Sequence, residues 1–341
     1  MNSLIHRNGK ISERTRRVVT ASIVAGLCMA ASACGGDSPA TSANGLPTVS
    51  IAQPSATLMS IPVLLGQEKG LFREEGIVVE QVAIENSPAG IAAVQSGSAD
   101  IALMIPSTGF PAIQDSGQLK AMTSLFGIDY TLLADPSLEL PNANAPYPGF
   151  VKDFAGLTIG VTVRGGAAEA FVTRMLNDAG IDPSEVTFIA TGGGASAAAS
   201  FGAKQIDILF AEPPTQALVG EGNFVQIVDA KDAVQILGNN FYSFFSGNQR
   251  FLSDNEAAAA SFCRGVRASV AWTQDPQNTD EVIAFTADTL NLTPEQASSV
   301  WNEYSSTFTT DALTEDGWNA ALETVERGPA FSDVVFTPCQ A

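Results

Sequence analysis

Histidine is almost missing from this 341-residue chain, which has only His6. Positive charge is scarce too: 17 lysines and arginines stand against 36 aspartates and glutamates, a formal net charge of −19. A general nucleic-acid binder needs a basic face to meet phosphates, so that class is excluded. Charged residues make up 16% of the chain, against roughly 25% in an average soluble protein. Yet 45% of residues are hydrophobic, far more than a disordered chain carries. The longest weakly polar run, residues 18–33, is too short for a spanning helix, which argues against a channel. Neither Ser-x-x-Lys nor Gly-x-Ser-x-Gly occurs, so no serine nucleophile announces itself.

What is present begins with a leader. Arg7, Lys10, Arg14, Arg16 and Arg17 outnumber the single acid Glu13, and an apolar run follows to Ala31-Ser32-Ala33-Cys34. A basic start, a short apolar core and small residues at the cut describe an export signal rather than a folded helix. With a cysteine directly after the cut, residues 1–33 resemble a bacterial lipoprotein signal, which implies lipidation of Cys34. The other reading is an ordinary secretory signal cut nearby. Residues 34–47 are rich in Gly, Ser, Ala, Thr and Pro, the composition of a flexible tether. Cleavage removes His6, so Ser-His-Asp, Cys-His and histidine-bearing zinc chemistry all fall away. We expect no catalytic residue, no metal and no cofactor. Cys263 and Cys339 remain in the exported body, where one disulfide is expected and a pair of buried thiols is the alternative.

A pattern then occurs twice. Strand 48–52, a helical stretch 58–69, strand 77–83, a helix from Ser87 and strand 101–105 form the first copy. Strand 157–163, helix 167–179, strand 186–190, a helix after Gly192–Gly194 and strand 208–211 form the second. Strands alternating with helices predict parallel sheets, and their continuous apolar runs predict cover on both faces. Two copies predict two doubly wound α/β lobes. Ligands in such sheets sit beyond the C-terminal strand ends, near helix N-termini. Later sequence reads as helices, with capping boxes at Ser253–Glu256 and Thr293–Gln296 and further helices at 280–290 and 314–327.

The motifs carry a resemblance. Leu65-Gly-Gln-Glu-Lys-Gly-Leu-Phe-Arg-Glu-Glu-Gly-Ile77 resembles the A-x-E-K-G-x-F-x-x-E-G-I stretch of ABC-transporter substrate-binding proteins of the nitrate/sulfonate/taurine type. Ala93–Ile101, Phe154–Val161 and Asp207–Pro213 are similar to that family's L-x-x-G-x-A-D, L-K-G-K-x-I-G-V and D-A-x-x-x-x-E-P segments, in the same order. The resemblance implies a type II periplasmic-binding fold whose two lobes join through a two-crossing hinge. The crossings are expected near Phe126–Leu133 and Val228–Phe241. Lobe one would comprise residues 48–128 plus 240–341, and lobe two 129–239. The implied role is capture of a small organic solute, anionic or aromatic, outside the cell and delivery to the permease and ATPase of an ABC importer. Contact with the membrane would be through the lipid alone, the body would be monomeric, and no nucleic acid is involved. Two rivals share the fold: a ligand sensor signalling to a membrane kinase, and an enzyme akin to pyrimidine-synthesising relatives, which need the histidine this chain loses.

Candidate ligand contacts follow strand ends. In lobe one they are Gln53, Ser55, Thr57, Ser87, Ser107 and Thr108, with Thr57, Ser87 and Ser107 also read as helix caps. Lobe two offers Arg164, Gly165, Gly166, Gly193, Gly194 and Glu212. Glycines let backbone N–H groups approach a ligand, and Arg164 suits bidentate grip of a carboxylate or sulfonate. Tyr242, with Phe126, Tyr130 and Phe241 near the crossings, could flank a ring. The resembled family often has Ser after the glycine at Gly166, and its absence here weakens the case for a nitrate- or sulfonate-like ligand.

Overall fold

The computed structural model describes residues 45–127, 130–236 and 241–340. The expected signal, Cys34 and most of the tether lie outside the described residues. In the first half, β1 (Thr48–Gln53), α1 (Ile61–Lys69), α2 (Leu71–Glu74), β2 (Val78–Ala83), α3 (Ser87–Ser96), β3 (Ile101–Met104) and α4 (Pro106–Ser116) lead to β4 (Leu119–Gly127). Beyond the first crossing come β5 (Thr131–Ala134), β6 (Thr158–Val161), α5 (Ala167–Asp178), β7 (Thr187–Ala190), α6 (Gly194–Gly202) and β8 (Ile208–Ala211). Then follow α7 (Thr215–Val219), β9 (Val225–Val228) and α8 (Ala230–Ile236). After the second crossing, β10 (Phe241–Asn248) precedes α9 (Gln249–Asp254), α10 (Glu256–Gln274), α11 (Thr279–Leu290), α12 (Pro294–Tyr304), α13 (Glu315–Leu322) and α14 (Phe331–Val334).

The strands make two five-stranded sheets, β2-β1-β3-β10-β4 and β7-β6-β8-β5-β9. In each, the three strands of one sequence copy are parallel, as expected. One strand of each sheet corrects the expectation of wholly parallel sheets. β10 runs antiparallel to β3 and β4, and β5 antiparallel to β8 and β9. The cause is topological. β5 and β10 each follow a crossing, so the chain arrives at the C-terminal rim of the sheet and must run back toward its floor.

Both sheets bury both faces. Ile51, Leu103 and Phe245 point to one core with α1 and α10, while Ala52, Met104 and Phe244 point to the other, with Phe110 and Trp318. In the second sheet, Ile159 and Phe210 meet Phe171 and Met175 of α5, while Leu209 and Ala211 meet Phe201 of α6. That side-to-side alternation is the period-two geometry of a strand. We call each sheet with its helices a lobe.

The repeated motif has a structural explanation. Asp100 Oδ2 accepts from the Ser50 N–H at 2.8 Å and the Ser50 hydroxyl at 2.7 Å, while Asp207 Oδ2 accepts from the Thr158 N–H at 2.7 Å. In each lobe this aspartate knots the start of the third strand to the first, on the floor away from the rim.

Cys263 of α10 is disulfide-bonded to Cys339, and both are fully buried in lobe one. The Thr293 capping box forms with Gln296. The one at Ser253 does not. Asn248 starts a helix earlier by accepting from the Arg250 N–H at 2.9 Å, and the Ser253 hydroxyl turns back to the Arg250 carbonyl. Thr314 caps α13, which stops at Leu322 instead of reaching Arg327.

Candidate ligand-binding cleft

Where the rims of the two sheets meet, a cavity of about 620 Å³ is lined from both lobes. This is the size of a small-molecule site. Lobe one contributes Ile105, Pro106 and Ser107 at the start of α4, Tyr242 of β10, Ala321 at the end of α13 and residues 323–327 after it. Lobe two contributes Tyr130, Gly165 and Gly166 just before α5 and, along one face of that helix, Ala167, Ala170, Phe171 and Arg174. The N-termini of α4 and α5 thus border one space, and neither carries a side-chain cap. Free N–H groups and the helix dipoles make such ends favourable to an electron-rich group. A hollow of about 840 Å³ elsewhere on lobe two, around Asp135 and Lys204, holds none of the candidate contacts.

Tyrosines from the two crossings form the aromatic part of the site. Tyr130 and Tyr242 meet edge to face at 5.2 Å, and Tyr130 packs on Phe210 at 4.3 Å and Phe171 at 6.0 Å. Phe126 is instead fully buried core, packed on Phe308 at 4.5 Å.

Among the candidates, Ser107, Gly165, Gly166 and Tyr242, with Tyr130, line the cavity, and Gln53, Ser55, Thr57, Ser87, Thr108, Arg164, Gly193, Gly194 and Glu212 do not. Arg164 faces outward, its Nε 2.7 Å from Glu169 Oε2 and its Nη1 donating to the Phe188 carbonyl at 3.0 Å. The guanidinium in turn holds the Glu169 carboxyl below the ordinary range. Ser87 and Thr108 bond each other at 2.7 Å. Ser87 is not the cap it was expected to be, because Asn86 Oδ1 accepts from the Ala89 N–H. Ser107 does not cap either, since Ile105 occupies that position in α4. Ser55 is exposed. Gly193 opens α6, and the Gly194 N–H is taken by Thr215 Oγ1 at 3.0 Å.

Three rim positions of lobe one hold unused hydrogen-bonding capacity. Both amide atoms of Gln53, the Thr57 hydroxyl and the Ser243 hydroxyl are buried without a partner among the described residues. Thr57 stands before the first helical turn but makes no capping bond with its side chain. Each such atom left unbonded costs about 1–3 kcal/mol; the Thr286 hydroxyl and Gln340 Oε1, away from the cavity, share the condition. On the rim of lobe two, burial pushes the Glu212 carboxyl above its ordinary range, and a hydrogen bond with Thr162 partly offsets this.

Arg174, Phe171 and the 321–327 segment were not anticipated. The first two were legible: Ala167, Ala170, Phe171 and Arg174 follow the i, i+3, i+4, i+7 spacing of one helix face. Arg174 Nε lies 3.9 Å from Asp178 Oδ2, whereas Arg327 bonds Asp115 through both terminal nitrogens. No sequence signal marked residues 321–327, because their place depends on where α13 ends.

No helix among the described residues is long and apolar enough to cross a membrane. A search of curated proteins gives no match. Solved structures do match in fold. The periplasmic aliphatic sulphonate-binding protein SsuA from Escherichia coli is 16% identical with a TM-score of 0.68, covering 86% of this chain and 93% of that one. The alkanesulfonate-binding protein SsuA from Xanthomonas axonopodis pv. citri, bound to MOPS, is 16% identical with a TM-score of 0.61, covering 81% and 90%. A protein from Bordetella bronchiseptica RB50 is 24% identical with a TM-score of 0.62, covering 86% and 93%. These likenesses establish the periplasmic-binding fold. The NMT1/THI5-like family model matches residues 58–279, so the chain belongs to the NMT1/THI5-like family.

Proposed function

We propose that this protein is an extracytoplasmic solute-binding protein, held to the membrane by lipid on Cys34, that delivers a small organic molecule to the permease of an ABC importer. The observation that carries the reading is the interlobe cavity, where two uncapped helix N-termini from different sheets meet a pair of tyrosines. Similarity to sulfonate-binding proteins supports capture and transport. The lobes, 48–128 with 240–341 and 129–239, close on the solute about the two crossings, and the closed form is what a permease reads. The protein acts as a monomer and needs no cofactor. Binding rather than catalysis fits a rim of hydroxyls, backbone amides, tyrosines and one loosely held guanidinium.

Thermal-shift screening against sulfonates, aromatic carboxylates, pyrimidines and flavins tests the reading. Stabilisation by one organic class, lost in Tyr242→Ala, is expected. A response to inorganic anions alone would defeat it. Incorporation of labelled palmitate, abolished by Cys34→Ala, tests the anchor.

A further inference from the structure

Besides its two peptide crossings, the chain joins its lobes a third time. α12 packs on α11 as part of lobe one, yet its last turn also reaches α7 of lobe two. Trp301 and Tyr304, 3% and 1% exposed, share one buried cluster with Ala217 of α7 and Ala230 of α8. Beside them, Glu303 Oε1 accepts from Gln226 Nε2 of β9 at 3.0 Å and from the Ala230 N–H at 3.2 Å. The Tyr304 hydroxyl lies 3.2 Å from Gln216 Oε1 and 3.3 Å from Thr131 Oγ1.

These partners adjoin the rim of lobe two. Thr131 follows Tyr130, which lines the cavity, and its hydroxyl also reaches the Ala211 carbonyl, next to Glu212. Gln216 follows Thr215, which holds the Gly194 N–H. No residue of α12 lines the cavity itself. Two chain crossings leave a pair of rigid lobes free to rotate about the line between them, and a further attachment that reaches beyond them to Gln226 of β9 and Gln216 of α7 restricts that rotation.

We propose that Glu303 and Tyr304 are positioning residues: through them α12 acts as a noncovalent third crossing that sets the angle between the lobes, and with it the width of the cavity. This holds whatever solute the cavity takes. Packed interfaces of this kind have discrete arrangements, so loosening one shifts a population and does not merely soften it.

The test needs no solute, so its outcome is separate from that of the transport reading. Spin labels on Glu80→Cys and Gln205→Cys, exposed positions on the two lobes, report the interlobe distance by pulsed electron resonance. Glu303→Ala combined with Tyr304→Phe should add a longer-distance population absent from the parent, with circular dichroism unchanged. Tyr304→Phe alone, which loses only the hydroxyl, should show a smaller share of that population. Asn302→Ala, exposed on the same turn, should match the parent. An unchanged distribution in the double variant would overturn the proposal; so would an equal change in Asn302→Ala. Should the double variant fail to fold, Tyr304→Phe decides alone, and a parental distribution there counts against it.

Discussion

The rim of lobe one carries orphaned side-chain groups, whereas lobe two sets glycine-opened helices beside the side chains of Tyr130, Phe171 and Arg174. On the first rim stand Gln53, Thr57 and Ser243 with unpartnered buried atoms, and Ser107 in the cavity. On the second, α5 and α6 open at Gly166 and Gly193 with no side-chain cap. Gly165, at φ +72°, adopts a backbone shape that other residues resist. The same strand–helix duplicate therefore presents two chemistries. Side-chain rims are tuned by substitution, whereas a glycine rim is fixed by the conformation it must hold.

The lobes also differ in how they are secured, and the largest expected effect tests this. The Cys263–Cys339 bond closes a long loop within lobe one only. Its removal by Cys263→Ala with Cys339→Ala should cost about 4 kcal/mol. Hydrogen exchange should show that loss in the first sheet with the second unaffected; equal loss in both would mean that the lobes unfold as one unit.

Next comes the contrast between rims. Gly165→Val should cost about 1–2 kcal/mol through its left-handed backbone and abolish solute-induced stabilisation. Ser107→Ala should weaken binding while leaving stability within about 0.5 kcal/mol. A Gly165→Val protein that melts and binds like its parent would erase the distinction.

Gln53→Leu should go the other way on stability. Replacing an orphaned buried amide with an apolar side chain should raise stability by about 1 kcal/mol while solute-induced stabilisation falls. A lower melting temperature would show that the amide is satisfied in solution.

The smallest effects depend on pH. Glu212 has its folded pKa raised, so the charged form opposes folding. Stability from this group is present below its ordinary range near 4.5 and is lost as pH rises through the folded value. Glu212→Gln should therefore stabilise lobe two at pH 7 and lose that advantage below about pH 4. Asp135 is the opposite case. Bonds from Ser137, with help from Lys204, hold it at about 2, so its contribution is present above its ordinary value and fades as pH falls toward 2. Asp135→Asn should flatten the acid limb of the melting profile, and an unaltered limb would place the sensitivity elsewhere.

Much of the scaffold was legible from residue patterns. Strands and helices of both copies fall within a residue or two of their expected bounds, because short apolar runs between Gly turns leave little choice. Gly70, at φ +79°, ends α1 where Glu-Lys-Gly predicts it. Strand direction was not legible for β5 and β10, since an apolar run such as Phe244-Phe245 reads alike in either sense. The candidate site was half legible. Position after a strand identified Ser107, Gly165 and Gly166, but it did not reveal that Arg164 would turn to Glu169, a partner five residues on. Nor did it show Arg174, two turns into α5, as part of the cavity wall.

The aspartate knots at Ser50–Asp100 and Thr158–Asp207 lie at the foot of each sheet, at the end opposite every residue argued to touch a solute. Architecture and recognition are thus written in separate stretches of chain. An engineer could randomise the crown of either lobe to redirect what is captured, and the foundations would not register the change.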